Sequence, residues 1–133
     1  MQLVFDGHND VLLRLWKGRK AGEDPVAEFA NGTTAGHIDA PRARSGGLAG
    51  GLCAIYIPSD HDLVLQEPDD SGHYNTPLDA PLERATSLDI ALDMASIALA
   101  LDRGDAWRLC RTTSEIRSAM EQGIFAAVMH MEG

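Results

Sequence analysis

The sequence predicts an α/β fold, the N-terminal part of a TIM-like (β/α)8 barrel with parallel strands, and three observations lead to this prediction. Short apolar runs alternate with segments of helical spacing along the 133 residues, as expected when helices connect the strands of a parallel sheet. Residues 52–57 are apolar throughout, which is typical of a strand covered on both faces. The last apolar run ends at Glu132 and Gly133 with no helix after it. Because half a barrel would leave strand edges unpaired, we expect residues 1–133 to be a single domain whose barrel continues beyond residue 133.

The first elements follow from short local patterns. Residues 2–5 are apolar and predict a buried strand that ends in a polar loop. Asn9 or Asp10 then caps a helical turn through residues 11–16. Residues 17–36 show little hydrophobic periodicity and predict an exposed connection.

The second half of the chain contains the clearest helix, predicted over residues 82–103 after a long acidic loop at 59–81. The spacing Thr112 to Glu115 fits a capping box that opens a short helix, and residues 124–131 predict a further strand. The residues expected on the buried face of the long helix are Leu82, Ala85, Leu88, Leu92, Ala95 and Leu99, and that face is expected to be widened by Ile90, Met94, Ile97, Ala98 and Leu101.

Composition excludes several classes of function. The chain has 11 Lys and Arg against 20 Asp and Glu, a formal net charge of -9, and therefore lacks the basic surface of a nucleic-acid-binding protein. No run of about 18 apolar residues predicts a membrane span, and no signal-peptide pattern is present, so we expect a cytoplasmic protein with no membrane partner. Cys53 and Cys110 match no metal-binding spacing and are expected to be small buried residues.

Two candidate metal-binding segments follow predicted strands. His8 and Asp10 are two residues apart, so in extended backbone both side chains point to the same side, and both are common zinc ligands. The alternative is that Asp10 is a helix cap and His8 a loop residue. Glu132 ends the strand at 124–131, where a barrel carries its active site, although taken alone it fits a solvated residue equally well. His130 either supports this site from behind or is a hydrogen-bonded core histidine.

A second His-x-Asp pair has a different interpretation. His37 and Asp39 precede their strand, which places them at the end of a barrel opposite the chemistry. Asp39 and Arg42 are therefore expected to anchor a turn or to pair with one another. His61 and His73 lie in the acidic loop, where solvated histidines are the usual case.

Segments spread from one end of the chain to the other share the motif order of one known family. The most specific is Asp-Gly-His-Asn-Asp at residues 6–10. The others are His-Ile-Asp-Ala-Pro-Arg at 37–42, the glycine-rich stretch 46–51, Ile-Tyr-Ile-Pro at 55–58, Thr-Ser-Glu-Ile-Arg-Ser-Ala at 113–119 and Met-Glu-Gly at 131–133. Together they resemble the membrane (renal) dipeptidase family of zinc metallopeptidases.

That resemblance implies a barrel that holds two zinc ions. In the family, the residues matching His8 and Asp10 bind one ion, and the residue matching Glu132 bridges both. The remaining metal ligands, two histidines, and the acid/base Asp and substrate-binding Arg are implied to lie beyond residue 133. No catalytic residue is therefore assigned within this chain.

The resemblance also implies the activity, which is zinc-dependent hydrolysis of dipeptides through a hydroxide that bridges the two ions. One alternative is a related metal-dependent amidohydrolase acting on another amide or ester. Many such enzymes carry His-x-His after the first strand, and Asp10 argues against them. The other alternative is a catalytically incomplete fragment. The expected partner is a small dipeptide substrate, and a homo-oligomer is left open.

Overall fold

Parallel strands form one four-stranded sheet in the computed structural model, which describes residues 2–59, 67–74 and 80–132. Helices connect these strands, as predicted. In chain order, the elements are β1 (Val4–Asn9), α1 (Val11–Lys20), α2 (Pro25–Asn31), α3 (Ala40–Gly46), β2 (Leu48–Ile55), α4 (Arg84–Leu101), β3 (Trp107–Leu109), α5 (Thr113–Glu121) and β4 (Phe125–Met131).

The strand order across the sheet is β1-β2-β4-β3, and every neighbouring pair is parallel. The predicted α/β fold with parallel strands is therefore confirmed. Because these strands are parallel, the carboxyl ends of β1, β2 and β4 share one edge of the sheet, with β2 in the middle. The register places Asn9 opposite Cys53 and Ile55 opposite Met131. Strand β3 was not predicted, since its three residues are too few to show a period.

The main core lies between the sheet and helices α1, α2 and α4. Its centre is an aromatic cluster in which Phe29 meets Trp107 and Phe125 edge to face, with ring centroids 5.1 and 5.6 Å away. Residues that alternate with Phe125 along β4, such as Ala126, pack on the other face against α5. Within the described residues, no helix is both long and apolar enough to cross a membrane.

The expected exposed connection at residues 17–36 is wrong, because it contains a helix. Helix α1 continues to Lys20, and α2 follows with Phe29 fully buried. Asp24 begins α2, its side chain accepting hydrogen bonds from the backbone of Val26 at 2.9 Å and of Ala27 at 3.4 Å. Pro at the first helical position adds a preset backbone angle. These end signals were present in a segment too short for periodicity to show.

The long helix is confirmed, but only part of its predicted buried face is buried. Helix α4 buries Met94, Ile97, Ala98 and Leu101. Apolar residues surround this helix, so helical spacing alone fits more than one face, and the contact with α1 and the sheet selects among them. The four residues that α4 buries were all predicted to be buried. Of the other predicted residues, Ile90 and Ala95 are half-buried and the rest are exposed, namely Leu82, Ala85, Leu88, Leu92 and Leu99.

Strand β1 also differs from its prediction. It continues through the polar segment to Asn9, and most of its residues are exposed or half-buried. The glycine-flanked strand predicted at 52–57 spans Leu48–Ile55 instead. Gly50 is required there, because a Cβ at this position would collide with the backbone carbonyl of Ala126 in β4.

Several smaller predictions are confirmed. Thr112 and Glu115 form the capping box of α5, and both Cys53 and Cys110 are buried and free. His73 is exposed, and its Nδ1 lies 2.8 Å from a serine hydroxyl in the same turn. The other loop histidine, His61, lies outside the described residues.

Asp39 is the buried carboxylate that begins α3, as its predicted role as an anchor requires. Its side chain is 1% exposed and accepts hydrogen bonds from Arg42 Nε at 2.6 Å, from the Arg42 backbone at 2.9 Å and from the Thr33 backbone at 3.4 Å. Burial by itself raises the pKa of Asp39, but the hydrogen bonds from Arg42 and Thr33 outweigh it and hold the pKa below its ordinary value.

We expect Asp39→Ala to lower the free energy of unfolding of the full-length protein by about 2–3 kcal/mol, because it removes a helix cap and leaves buried donors unpaired. Urea denaturation measures this loss, and Asp24→Ala is the matched control, since that exposed cap is worth only about 1 kcal/mol. Because folding lowers the pKa of Asp39, its contribution is present above about pH 4 and declines as the pH falls further. Equal losses in the two variants would contradict this account.

Candidate metal centre

Three side chains converge at the carboxyl edge of the sheet. His8 Nε2 lies 3.5 Å from Glu132 Oε2 and 3.7 Å from Asp10 Oδ1. One possible ligand atom from each residue lies within 4.8 Å of the other two. All three side chains are about half exposed, so the cluster opens to solvent. The three sequence candidates for metal binding are therefore neighbours in space.

An irregularity in β1 sets the direction of these side chains. Asp6 is paired with Gly51 and Asn9 with Cys53, so three steps along β1 match only two along β2. This is the geometry of a β-bulge, which inserts one residue and re-aims the side chains beside it. As a result, His8 reaches the Glu132 side of the sheet, whereas Asn9 is buried at 7% exposure.

The ligand candidates meet across the end of β2, because β1 and β4 are not neighbouring strands. Between them, β2 carries Ala54, which is fully buried and paired with His130 in the register. Its methyl group leaves room for the longer side chains on either side. His8 and His130 fill part of this space, with ring centroids 5.3 Å apart and planes at 70°.

His130 is not the hydrogen-bonded core histidine that was one of its two interpretations. Its Nε2 is buried and has no hydrogen-bond partner within the described part of the chain. Its contact is the edge of the His8 imidazole. His130 therefore lies beside the candidate centre and packs against one of its members.

The donor set fits a zinc ion. Zinc takes imidazole nitrogen at about 2.0–2.1 Å and carboxylate oxygen at about 2.0–2.2 Å, commonly in a tetrahedron. Ligand atoms in such a tetrahedron are separated by roughly 3.4 Å, as follows from these bond lengths. The distances of 3.5 and 3.7 Å from His8 Nε2 are close to that value. The cluster therefore offers one neutral donor and two anionic donors around a common point.

Neither His8 nor Asp10 has the alternative role considered for it, whereas Glu132 is exposed, as a solvated residue would also be. Asp10 stands at the N-cap position of α1, but its side chain makes no capping hydrogen bond. The Val11 backbone donates instead to Asn9 Oδ1 at 3.4 Å. His8 lies in β1 and not in a loop. Of the second pair, Asp39 is occupied at the start of α3, whereas His37 lines a pocket together with Asp10 and does not lie at the opposite end of the sheet as predicted.

The nearby thiol does not contribute a further donor. Burial raises the pKa of Cys53 to about 12, with the Asp6 carboxylate acting in the same direction and a hydrogen bond with Asn9 opposing it. Cys53 is fully buried, and at neutral pH its sulfur remains a protonated thiol. The centre is thus one of nitrogen and oxygen donors.

Comparison with known proteins gives one consistent family. The sequence model of membrane dipeptidases, peptidase family M19, matches residues 1–133. A protein of Acinetobacter calcoaceticus, described as an uncharacterized protein in the PQQ-III 3' region, is 32% identical over 134 aligned positions, which cover 98% of this chain and 40% of that protein.

Two solved structures share the fold. The dipeptidase AC, a metallopeptidase of family M19, is 36% identical with a TM-score of 0.79, and the match covers 99% of this chain and 35% of that one. A metallopeptidase from Rhodobacter sphaeroides, liganded with a phosphinate mimic of the dipeptide L-Ala-D-Ala, is 33% identical with a TM-score of 0.79, covering 99% of this chain and 38% of that one. The chain therefore spans between a third and two fifths of the length of these relatives.

We expect the Cys53 thiol to resist alkylation in the native full-length protein, because it is buried and because its pKa of about 12 leaves almost no thiolate at pH 8. Iodoacetamide labelling followed by peptide mass spectrometry measures this reactivity. The same thiol in urea-unfolded protein is the control and should react fully. Native labelling as fast as the unfolded control would contradict the buried position of Cys53 beneath the centre.

Proposed function

This chain belongs to the membrane dipeptidase family, peptidase family M19, and from that premise we propose that the full-length protein is a zinc-dependent dipeptidase. The observation that carries the proposal is the convergence of His8, Asp10 and Glu132, which are far apart in sequence and have ligand atoms within 4.8 Å of one another. In this proposal residues 1–133 are the N-terminal part of a single catalytic barrel domain.

We assign His8 and Asp10 to one zinc ion and Glu132 to a bridge between that ion and a second. A carboxylate has two oxygens and can contact two cations at once. The position of Glu132 just past the end of β4 leaves its side chain half exposed, on the side open to solvent. Two carboxylates in a centre of this kind also offset part of the charge of the ions.

The chemistry is metal-assisted hydrolysis of a peptide bond. Bound zinc supplies an acidified water as the nucleophile near neutral pH and polarises the scissile carbonyl. This chain contributes the side chains that fix the position of the ions, and the exposed side of the centre is where a substrate enters. The acid/base group and the remaining ligands belong, in this proposal, to the rest of the protein.

The proposed substrates are dipeptides. Two structural relatives support this class, one described as a dipeptidase and one bound to a phosphinate mimic of a dipeptide. A related amidohydrolase acting on another amide or ester is the second candidate. Comparing turnover of dipeptides with that of N-acyl amino acids and esters separates the two. The cytoplasmic location and the homo-oligomer remain predictions from the sequence.

We expect Glu132→Gln to lower kcat/KM for dipeptides by more than about 100-fold. Loss of a residue that only orients a metal ligand costs about 10–100-fold, and loss of a ligand itself should cost more. His130→Ala should cost much less, because His130 contacts the His8 ring and no candidate metal position. The assay is dipeptide hydrolysis by the full-length protein with added zinc, before and after treatment with a chelator.

The same assay includes a polypeptide of residues 1–133 alone. Its described residues supply three candidate ligands, whereas two ions with an open position for water need more. We therefore expect no measurable activity from it. Zinc-dependent turnover by this polypeptide, a harmless Glu132→Gln, or activity insensitive to chelators would each contradict the proposal.

A further inference from the structure

We propose that Asp6 and Asn9 form a positioning pair that holds His8 in the bulge and ties the bulge to the start of α1, so that His8 and Asp10 face a common metal position. The inference rests on the proposed zinc site and assigns to it two residues that are not themselves ligands. Both belong to the same five-residue segment as His8 and Asp10.

The Asp6 carboxylate bonds two residues of the bulge. Asp6 Oδ1 accepts a hydrogen bond from the His8 backbone at 3.3 Å, and Asp6 Oδ2 accepts one from Asn9 Nδ2 at 3.1 Å. One carboxylate therefore ties together both residues that follow it in the irregular part of β1. The extra residue of a bulge has no partner in the ladder, and these side-chain bonds hold the segment in its place.

At the start of α1, the side chain of Asp10 does not cap the helix. Asp is among the preferred helix-capping residues, and Asp10 stands at the N-cap position. Its carboxylate nevertheless points to His8 Nε2, at 3.7 Å. Asn9 provides the acceptor for the Val11 backbone at 3.4 Å. The first free N–H of α1 therefore has its acceptor in Asn9, and the neighbouring Asp10 side chain makes no capping hydrogen bond.

Gly51 of β2 leaves the space that the pair occupies. A Cβ on Gly51 would lie 2.8 Å from Asn9 Nδ2 and 3.0 Å from Asp6 Cβ. Strand β2 therefore carries no side chain at a position where one would press on both residues. Asn9 is 7% exposed, so its amide has little freedom to turn elsewhere. The pair is packed in place from the side of β2.

A simpler reading is that the pair only stabilises the junction of β1 and α1. The two readings differ in what they predict. A structural role changes the melting temperature of the metal-free protein, whereas a positioning role changes zinc affinity beyond any loss of stability. Residues that orient metal ligands typically contribute 10–100-fold to metal affinity.

The experiment measures the zinc Kd of the full-length protein by competition with a chromogenic chelator, together with the melting temperature of the metal-free form. The variants are Asn9→Ala, Asp6→Ala and the exchanged double variant Asp6→Asn with Asn9→Asp. Asp24→Ala is the matched control, because it removes the cap of α2 away from the centre. His8→Ala tests the ligand assignment itself.

We expect Asn9→Ala and Asp6→Ala to raise the zinc Kd by about 10–100-fold, while Asp24→Ala leaves the Kd unchanged. The exchanged variant should recover most of the affinity, because an amide at position 6 and a carboxylate at position 9 reproduce all three hydrogen bonds with the same net charge. Recovery in that variant also shows that the single variants did not simply misfold.

Wild-type zinc affinity in Asn9→Ala would overturn the inference while leaving the zinc site intact. The inference would also be overturned if the zinc Kd rose only in proportion to the fall in melting temperature and the exchanged double variant did not restore it. Unchanged affinity in His8→Ala would instead overturn the ligand assignment, and the positioning role with it.

Discussion

The candidate centre depends on one extra residue in β1. Side chains alternate between the two faces of a sheet along each strand. In a regular strand, His8 would share the face of Asp6 and Asn9 would lie on the other face, the reverse of what the structure shows. The bulge between Asp6 and Asn9 shifts this alternation by one residue. It places the imidazole on the side of Glu132 and the Asn9 amide under the start of α1, where it bonds the Val11 backbone.

The rest of the fold supports that arrangement. Strand β2 separates β1 from β4 and carries small residues where the other strands approach it, namely Gly50, Gly51 and Ala54. A buried aromatic cluster around Trp107 packs on the helix side and fixes the position of the sheet against α1, α2 and α4. The carboxyl ends of three strands are thus held at one edge, and the long side chains of β1 and β4 meet over Ala54.

The sequence predicted the parallel α/β fold from strong local signals. For the three converging residues, local spacing left alternatives open, and the resemblance to the dipeptidase family favoured the metal site. Long apolar runs mark β2 and β4, and two-residue spacing marks His8 and Asp10. The bulge, the role of Asp6 and the exposure of part of the apolar surface of α4 were not predictable in this way. Each depends on contacts between elements, such as the fit of Asn9 against β2. Helix α2 was missed for another reason, since seven residues are too short to show a period.

The most direct test of the account is anomalous diffraction at the zinc edge from crystals of the full-length protein grown with zinc. The account predicts an anomalous peak bonded to His8 Nε2 and to carboxylate oxygens of Asp10 and Glu132 at about 2.0–2.2 Å, with Asn9 still bonded to the Val11 backbone. Anomalous peaks only elsewhere in the protein, with these three side chains unliganded, would contradict it.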